Sequence, residues 1–229
     1  MAVDGPSGSG KSSASRGVAR ELGLRYLDTG AMYRALTWWF MDLGADTDDT
    51  ALVAARAAEP DIEVSTNPDD PWTRVNGRDV SADIRTPEVS AQVSAVARVS
   101  AVREHLIALQ RGIIAAAPGI VAEGRDIGTV VARDAAVKVF LTADPLARAR
   151  RRAAELSATV GESTVGEATV GETEAAQARR DRLDAAQSQM APDAVYIDAT
   201  DLTLAEVIEE ITRLARARSE LACAGDKSS

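Results

Sequence analysis

Gly5-Pro-Ser-Gly-Ser-Gly-Lys-Ser12 matches the pattern G-x-x-x-x-G-K-[ST] in full. It follows a short apolar run at residues 1–3 and opens a helical pattern at 12–22 that Gly23 ends. The stretch is therefore a loop between a strand and a helix. Glycines let the main chain curl until successive N–H groups face inward, and the helix behind adds the positive end of its dipole. Such a cradle takes phosphate oxygens. Gly5, Pro6, Ser7, Gly8, Ser9 and Gly10 form the loop, and Lys11 is placed to reach the β- and γ-phosphates. Ser12, followed by Ser13, offers a hydroxyl to Mg²⁺ carried by the nucleotide. The stretch predicts ATP-type nucleotide binding on an α/β fold.

Outward from the loop, the apolar runs at 24–27, 119–122, 137–142 and 195–197 repeat the same strand-then-helix alternation. Together with 1–3 they predict five strands in a parallel sheet flanked by helices. Helical spacing is clearest at 12–22, 31–43, 87–116, 145–156 and 204–221. Two stretches break the alternation. Residues 61–83 carry Pro68-Asp-Asp-Pro71 and Asn76-Gly77 between short β-like runs, the signature of a small antiparallel insert. Within 157–174, Thr-Val-Gly-Glu recurs from Thr159, Thr164 and Thr169. Five residues turn a helix by about 500°, so the valines share no face, and the segment reads as a loop.

The 229 residues carry 26 basic and 35 acidic side chains, a net charge of −9. Only Lys11, Lys138 and Lys227 are lysines, and the other 23 basic residues are arginines. At 45% hydrophobic, 27% charged and a mean hydropathy of −0.11, the composition is that of a soluble globular protein. With 3% aromatic residues the core is expected to be aliphatic. The acidic balance argues against broad binding to nucleic acid or anionic membrane, yet leaves room for a local arginine-lined pocket. No apolar run reaches the ~20 residues that span a bilayer, and no signal peptide precedes Asp4. A lone Cys223 forms no internal disulfide and suits a reducing cytoplasm. No D-x-x-G tetrad occurs, and neither Asn67 nor Asn76 is followed by Lys, which disfavours a GTPase switch. A small kinase fits the length best.

Several motifs then resemble one family, the bacterial cytidylate kinases among the P-loop nucleoside monophosphate kinases. They are Asp4-Gly-Pro-Ser-Gly-Ser-Gly-Lys-Ser12, Tyr26-Leu-Asp-Thr-Gly-Ala-Met-Tyr-Arg34 and Val75-Asn-Gly-Arg-Asp-Val-Ser81. Ile84-Arg-Thr-Pro-Glu-Val89, Ala122-Glu-Gly-Arg-Asp-Ile-Gly-Thr-Val-Val131, Arg179-Arg-Asp-Arg-Leu-Asp184 and Asp193-Ala-Val-Tyr-Ile-Asp198 extend the match nearly end to end. The resemblance implies a single P-loop kinase domain over 1–221, with a monophosphate-binding insert at 60–100, a mobile lid at 148–182 and a flexible tail at 222–229. It implies transfer of the γ-phosphoryl group of ATP to CMP, and to dCMP, with Mg²⁺, in a cytoplasmic monomer.

The same resemblance assigns residues. Lys11, Arg34 and Arg125 would serve catalysis, the two arginines holding the acceptor phosphate with Thr29 and Tyr33 framing it. Ser94, Arg103 and Asp126 would recognise cytosine, and Arg180 and Asp184 the sugar. Arg148, Arg151 and Arg152 would close over the ATP phosphates, although one helix cannot aim a whole run of arginines at one ligand. His105 reads as structural, and Trp38-Trp39 as packing. One position departs from the family pattern: Gln187 stands where an arginine is expected. A charge-assisted phosphate contact is worth about 1.5–3 kcal/mol, so the change implies weaker CMP binding. Kinases of another acceptor such as UMP or AMP, or a nucleotide-binding paralogue without phosphotransfer, are the alternatives.

Overall fold

The computed structural model describes residues 1–160, 167–185 and 187–226. Its five-stranded parallel sheet has the order β2-β6-β1-β7-β8, and a second, antiparallel sheet has the order β3-β4-β5. The strands are β1 (Ala2–Asp4), β2 (Arg25–Asp28), β6 (Ile120–Gly124), β7 (Lys138–Thr142) and β8 (Val195–Asp198) in the first sheet. The second holds β3 (Ile62–Val64), β4 (Thr73–Val75) and β5 (Arg78–Asp79). All five apolar runs became strands of the parallel sheet, and the predicted antiparallel insert is present. The chain divides into two compact units, residues 1–22 with 123–229, and residues 23–122.

In the first unit, β1 is wholly buried and pairs in parallel with β7, Val3 facing Val139; β7 pairs with β8, Leu141 facing Ile197. Helix α1 (Lys11–Leu22) packs on α8 (Leu204–Asp226), where the Ile208 side chain fills the space a side chain at Gly17 would take. Val3, Val18, Leu141 and Ile211 are fully enclosed. Between β6 and β7 lies a π-helical turn, Ile127–Val131. Helices α6 (Pro145–Val160) and α7 (Glu167–Asp184) pack on each other. The stretch read as a loop is thus helical at both ends, with 161–166 outside the described residues. Gly171 costs α7 about 1 kcal/mol relative to alanine, but the Ala, Glu, Gln and Arg residues around it favour helix, and packing on α6 supplies the rest. Helix α8 likewise runs to Asp226, past Leu221, while 227–229 lie outside the described residues.

In the second unit, α2 (Thr29–Asp42) buries Met32, Leu36 and Phe40 with Leu27, Ile84 and Leu106. The β4–β5 hairpin turns on Asn76 (φ 50°) and Gly77 (φ 78°), the pair of positive angles that a two-residue type I′ turn demands. A short α3 (Thr50–Arg56) starts at Asp49, whose carboxylate accepts from the Ala51 and Leu52 amides. A 3-10 turn, Asp83–Arg85, precedes α4 (Pro87–Ala97), which begins with Pro87 after the Thr86 cap. The helix expected over 87–116 is two helices, α4 and α5 (Ser100–Ala115), because Val99 takes an extended conformation (φ −71°, ψ 123°) and turns into the core. Trp39 is buried edge-on against Phe40, and Trp38 lies under the Arg78 guanidinium. Both belong to packing. No helix among the described residues is long and apolar enough to cross a membrane.

Candidate active site

The phosphate loop joins β1 to α1. Gly5 (φ 149°) faces the Leu141 carbonyl oxygen where a side chain would stand, and Gly8 (φ 76°) faces the Gln177 amide and, 2.9 Å from an added Cβ, the Arg148 carbonyl. The loop is therefore backed closely by β7 and by the α6–α7 pair. Lys11 is buried, and its ammonium donates to the Pro6 carbonyl at 2.7 Å, curling back across the loop. Ser12 and Ser13 are half-buried in the first turn of α1, and the buried Ser9 hydroxyl makes no hydrogen bond.

Arg125 follows β6 and reaches the loop itself: Nη1 donates to the Gly5 carbonyl at 2.6 Å, and Nε to Asp184 Oδ2 at 3.3 Å. Asp126, buried, leads into the π-helical turn. On α7, Arg180 has a buried Nε without a hydrogen-bond partner. Its pKa is pulled down to about 10, first by burial, then by the positive charges of Arg125 and Arg152, with Asp184 and Asp181 opposing. It stays protonated at neutral pH. Three guanidinium groups share this locality with two carboxylates, an excess of positive charge that suits a phosphate.

The arginines of α6 diverge. Arg148 is buried and donates from Nε to the Ala143 carbonyl (3.1 Å) and from Nη1 to the Ser7 carbonyl (3.0 Å) and Asp181 (2.6 Å). Arg151 turns to the Ala199 and Thr200 carbonyls at 2.6 and 3.4 Å, just beyond β8. Arg150 is exposed, and Arg152 lies within electrostatic reach of Arg180. The structure thus groups Arg125, Arg148, Arg152, Arg180 and Asp184 around the phosphate-loop side of this unit, and sends Arg151 elsewhere. Gln187, half-buried, follows the end of α7, where its amide N–H donates to the Asp184 carbonyl.

The second unit has a separate polar group built on α2. Thr29 and Arg34 are buried there, with Tyr33 between them in the chain. Arg34 Nη1 donates to the Ile84 carbonyl (3.1 Å) and to the Ser90 hydroxyl (2.8 Å). Asp28 caps α2 by accepting from the Ala31 amide (2.9 Å), and it accepts from Arg85 Nη2 (2.7 Å). Burial opposes its ionisation, but Arg85 and, less strongly, Arg34 hold the carboxyl below its ordinary range. Ser94 is buried one helical turn beyond Ser90 on α4, and Arg103 is half-buried on α5. Asp28 and Ser90 were not singled out from sequence, nor were Asp4, Gln177 and Asp181 in the first unit. Asp4 and Asp28 each stand inside a matched motif, but as residues beside the named ones; Ser90 and Gln177 carry no local signal.

Comparison with known proteins gives a consistent result. Residues 1–217 match the family described as cytidylate kinase. The chain is 48% identical to the cytidylate kinase of Streptomyces avermitilis over 219 residues, 93% of this chain and 91% of that one. It is 45% identical to the cytidylate kinase of Mycolicibacterium paratuberculosis over 229 residues, 97% of each. A bifunctional pantoate ligase/cytidylate kinase of Synechocystis is 46% identical over 220 residues, which cover 93% of this chain and 42% of that protein.

Proposed function

Because the chain belongs to the cytidylate kinase family, we propose that it transfers the γ-phosphoryl group of ATP to CMP, and to dCMP, giving ADP and CDP or dCDP. The observation that carries this reading is the bond from Arg125 to the Gly5 carbonyl, which fastens an arginine to the rim of the phosphate loop. An oxygen of the acceptor 5′-phosphate attacks the γ-phosphorus while the bond to the β–γ bridging oxygen breaks. The attacking phosphate oxygen is already ionised, so no strong general base is required, and catalysis consists of positioning and charge stabilisation. Lys11 exchanges the Pro6 carbonyl for donor phosphate oxygens. By family resemblance Arg34 and Arg125 are each read as ligands of the acceptor phosphate, with Thr29 and Tyr33 framing it; arginine suits this by its fixed charge and its fork of donors.

Ser94, Arg103 and Asp126 recognise the 4-amino group of cytosine, and the acceptors so paired would reject uracil by up to ~10⁴. Arg180 and Asp184 hold the sugar, and α6 and α7 act as the lid whose Arg148 and Arg152 approach the ATP phosphates, whereas Arg151, expected there from the resemblance, is turned to the Ala199 and Thr200 carbonyls. Among the described residues no cluster of three His, Cys, Asp or Glu side chains is placed to hold a metal, whereas the Ser12 hydroxyl at the foot of the loop fits Mg²⁺ borne mainly by phosphate oxygens. Bound there, Mg²⁺ would offset phosphate charge. The reaction is read as cytoplasmic, carried out by a monomer on free nucleotides and not on nucleic acid or a membrane surface, which the net charge of −9 supports.

The test is product identification with ATP, Mg²⁺ and a panel of CMP, dCMP, UMP and AMP. CDP and ADP in equal amounts, abolished by Lys11→Ala, are expected; equal rates with CMP and UMP would overturn the base-recognition reading. ATP binding with no CDP formed would point to a paralogue without phosphotransfer.

A further inference from the structure

Asp4 ends β1 immediately before the phosphate loop, is 4% exposed and has no place in the reading above. Its two carboxylate oxygens are used separately: Oδ1 accepts the Ile127 amide and Oδ2 the Gly128 amide, both at 2.8 Å. These amides open the π-helical turn, two and three residues after Arg125. The next residue, Gly5, accepts the Arg125 guanidinium. The Asp4-Gly5 pair therefore grips the segment 125–128 at three points. Shape confines the contact further. A Cβ at Gly128 would meet Lys138 Cδ at 3.2 Å, a tight contact, and Asp4 Oδ2 at 3.4 Å, an ordinary one, so the turn lies within van der Waals reach of the carboxylate. Asparagine would turn one acceptor into a donor facing an N–H. Burial has a cost here, since desolvation raises the Asp4 pKa, with Asp126 adding to the rise while the two amides and Lys11 oppose it. Lys138, whose Cδ faces the same point of Gly128, is already neutralised by Asp193. A carboxylate held at such a cost by two main-chain amides is placed to hold geometry.

We propose that Asp4 is a positioning residue for phosphoryl transfer: by gripping the turn at Ile127 and Gly128 it sets Arg125 at a fixed distance from the phosphate loop. The proposal rests on reading Arg125 as a ligand of the acceptor phosphate. Displacing a catalytic geometry by about 1 Å costs on the order of a hundredfold in rate.

The experiment is a double-mutant cycle of Asp4→Asn and Arg125→Ala, with kcat and KM for CMP measured at saturating ATP and rates expressed per ATP-binding site, so that misfolded protein does not count. Asp4→Asn is expected to lower kcat roughly ten- to hundredfold with ATP affinity unchanged. The double variant is expected to be no slower than Arg125→Ala alone. Losses that multiply, or an Asp4→Asn protein that melts earlier but turns over normally per site, overturn the proposal. An Arg125→Ala enzyme with unchanged CMP kinetics overturns the reading of Arg125, and the proposal with it. Should Asp4→Asn fail to fold, Gly128→Val, whose branched side chain extends beyond the Cβ that already stands 3.4 Å from Asp4 Oδ2, crowds the same contact from the turn side. Its kcat loss must likewise vanish in the Arg125→Ala background, and its persistence there overturns the proposal.

Discussion

Asp4 and Asp28 occupy equivalent places: each is the last residue of a parallel strand, and each holds the element that bears an acceptor-phosphate arginine of the proposed mechanism. Their surroundings are opposite. Asp4 is met by two main-chain amides, and desolvation raises its pKa. Asp28 is met by Arg85 and one amide, and despite burial its pKa is lowered. A carboxylate can thus fix an arginine-bearing segment either through the backbone, tolerating a cost to its own ionisation, or through a counter-charge that favours ionisation. The first route is associated with Arg125 on the Gly5 carbonyl; the second caps the helix whose Arg34 ends on Ile84 and Ser90.

The sharpest test of that contrast is to remove the arginine on the Asp4 side. Arg125 touches the donor cradle through Gly5, so Arg125→Ala is expected to lower kcat for CMP about 10³-fold, the scale of an arginine that stabilises transition-state charge. Steady-state kinetics at saturating substrates checks it, and a loss confined to KM would erase the difference between the two arginines. Restoring charge near the end of α7 comes next. Gln187→Arg is expected to lower KM for CMP ten- to hundredfold, the worth of about 1.5–3 kcal/mol in one charge-assisted contact; an unchanged or higher KM counts against it. On the Asp28 side, Ser90→Ala removes an acceptor of Arg34 and is expected to raise KM for CMP about tenfold with kcat preserved.

The smallest effect concerns pH. Asp28, with a lowered folded pKa, contributes stability that is present above its unfolded value of 3.8 and lost as pH falls through the folded value. The Arg85 end of the pair is half exposed, so the pair is worth about 0.5–1 kcal/mol after solvent screening. Asp4 acts with the opposite sign: its contribution is present below 3.8 and lost as pH rises through the raised value. Urea denaturation at pH 7 and pH 3 checks this, with Asp28→Asn expected to be less stable than the parent at pH 7 and the difference expected to narrow at pH 3.

The strands were legible because each is a short apolar run flanked by turn residues, and the loop because its chemistry permits few alternatives. What escaped was set by tertiary contacts. Nothing in Arg98-Val99 marks a helix end; Val99 breaks the helix because its side chain gains burial by turning inward. The α6–α7 ends escaped for the converse reason, since a glycine-containing repeat was judged alone while in the fold it packs on a second helix. Within the candidate site, the loop lysine and the motif arginines could be named from spacing. The direction each arginine takes could not, because Arg148 and Arg151, three residues apart on one helix, end on carbonyls of different segments. Asp28 left a trace that reading missed: an aspartate directly before a helical run is a cap signal.

The curled Lys11 and the paired Lys138 have a consequence for the chemistry of the protein toward electrophiles. Amines acylate and guanidinium groups do not, and the lysines among the described residues are Lys11 and Lys138. The first donates to a carbonyl inside the phosphate loop, and the second is clasped by Asp193. An exterior charged by arginine keeps its charge in the presence of acyl donors, and on this part of the chain acylation of lysine has to begin with a buried side chain.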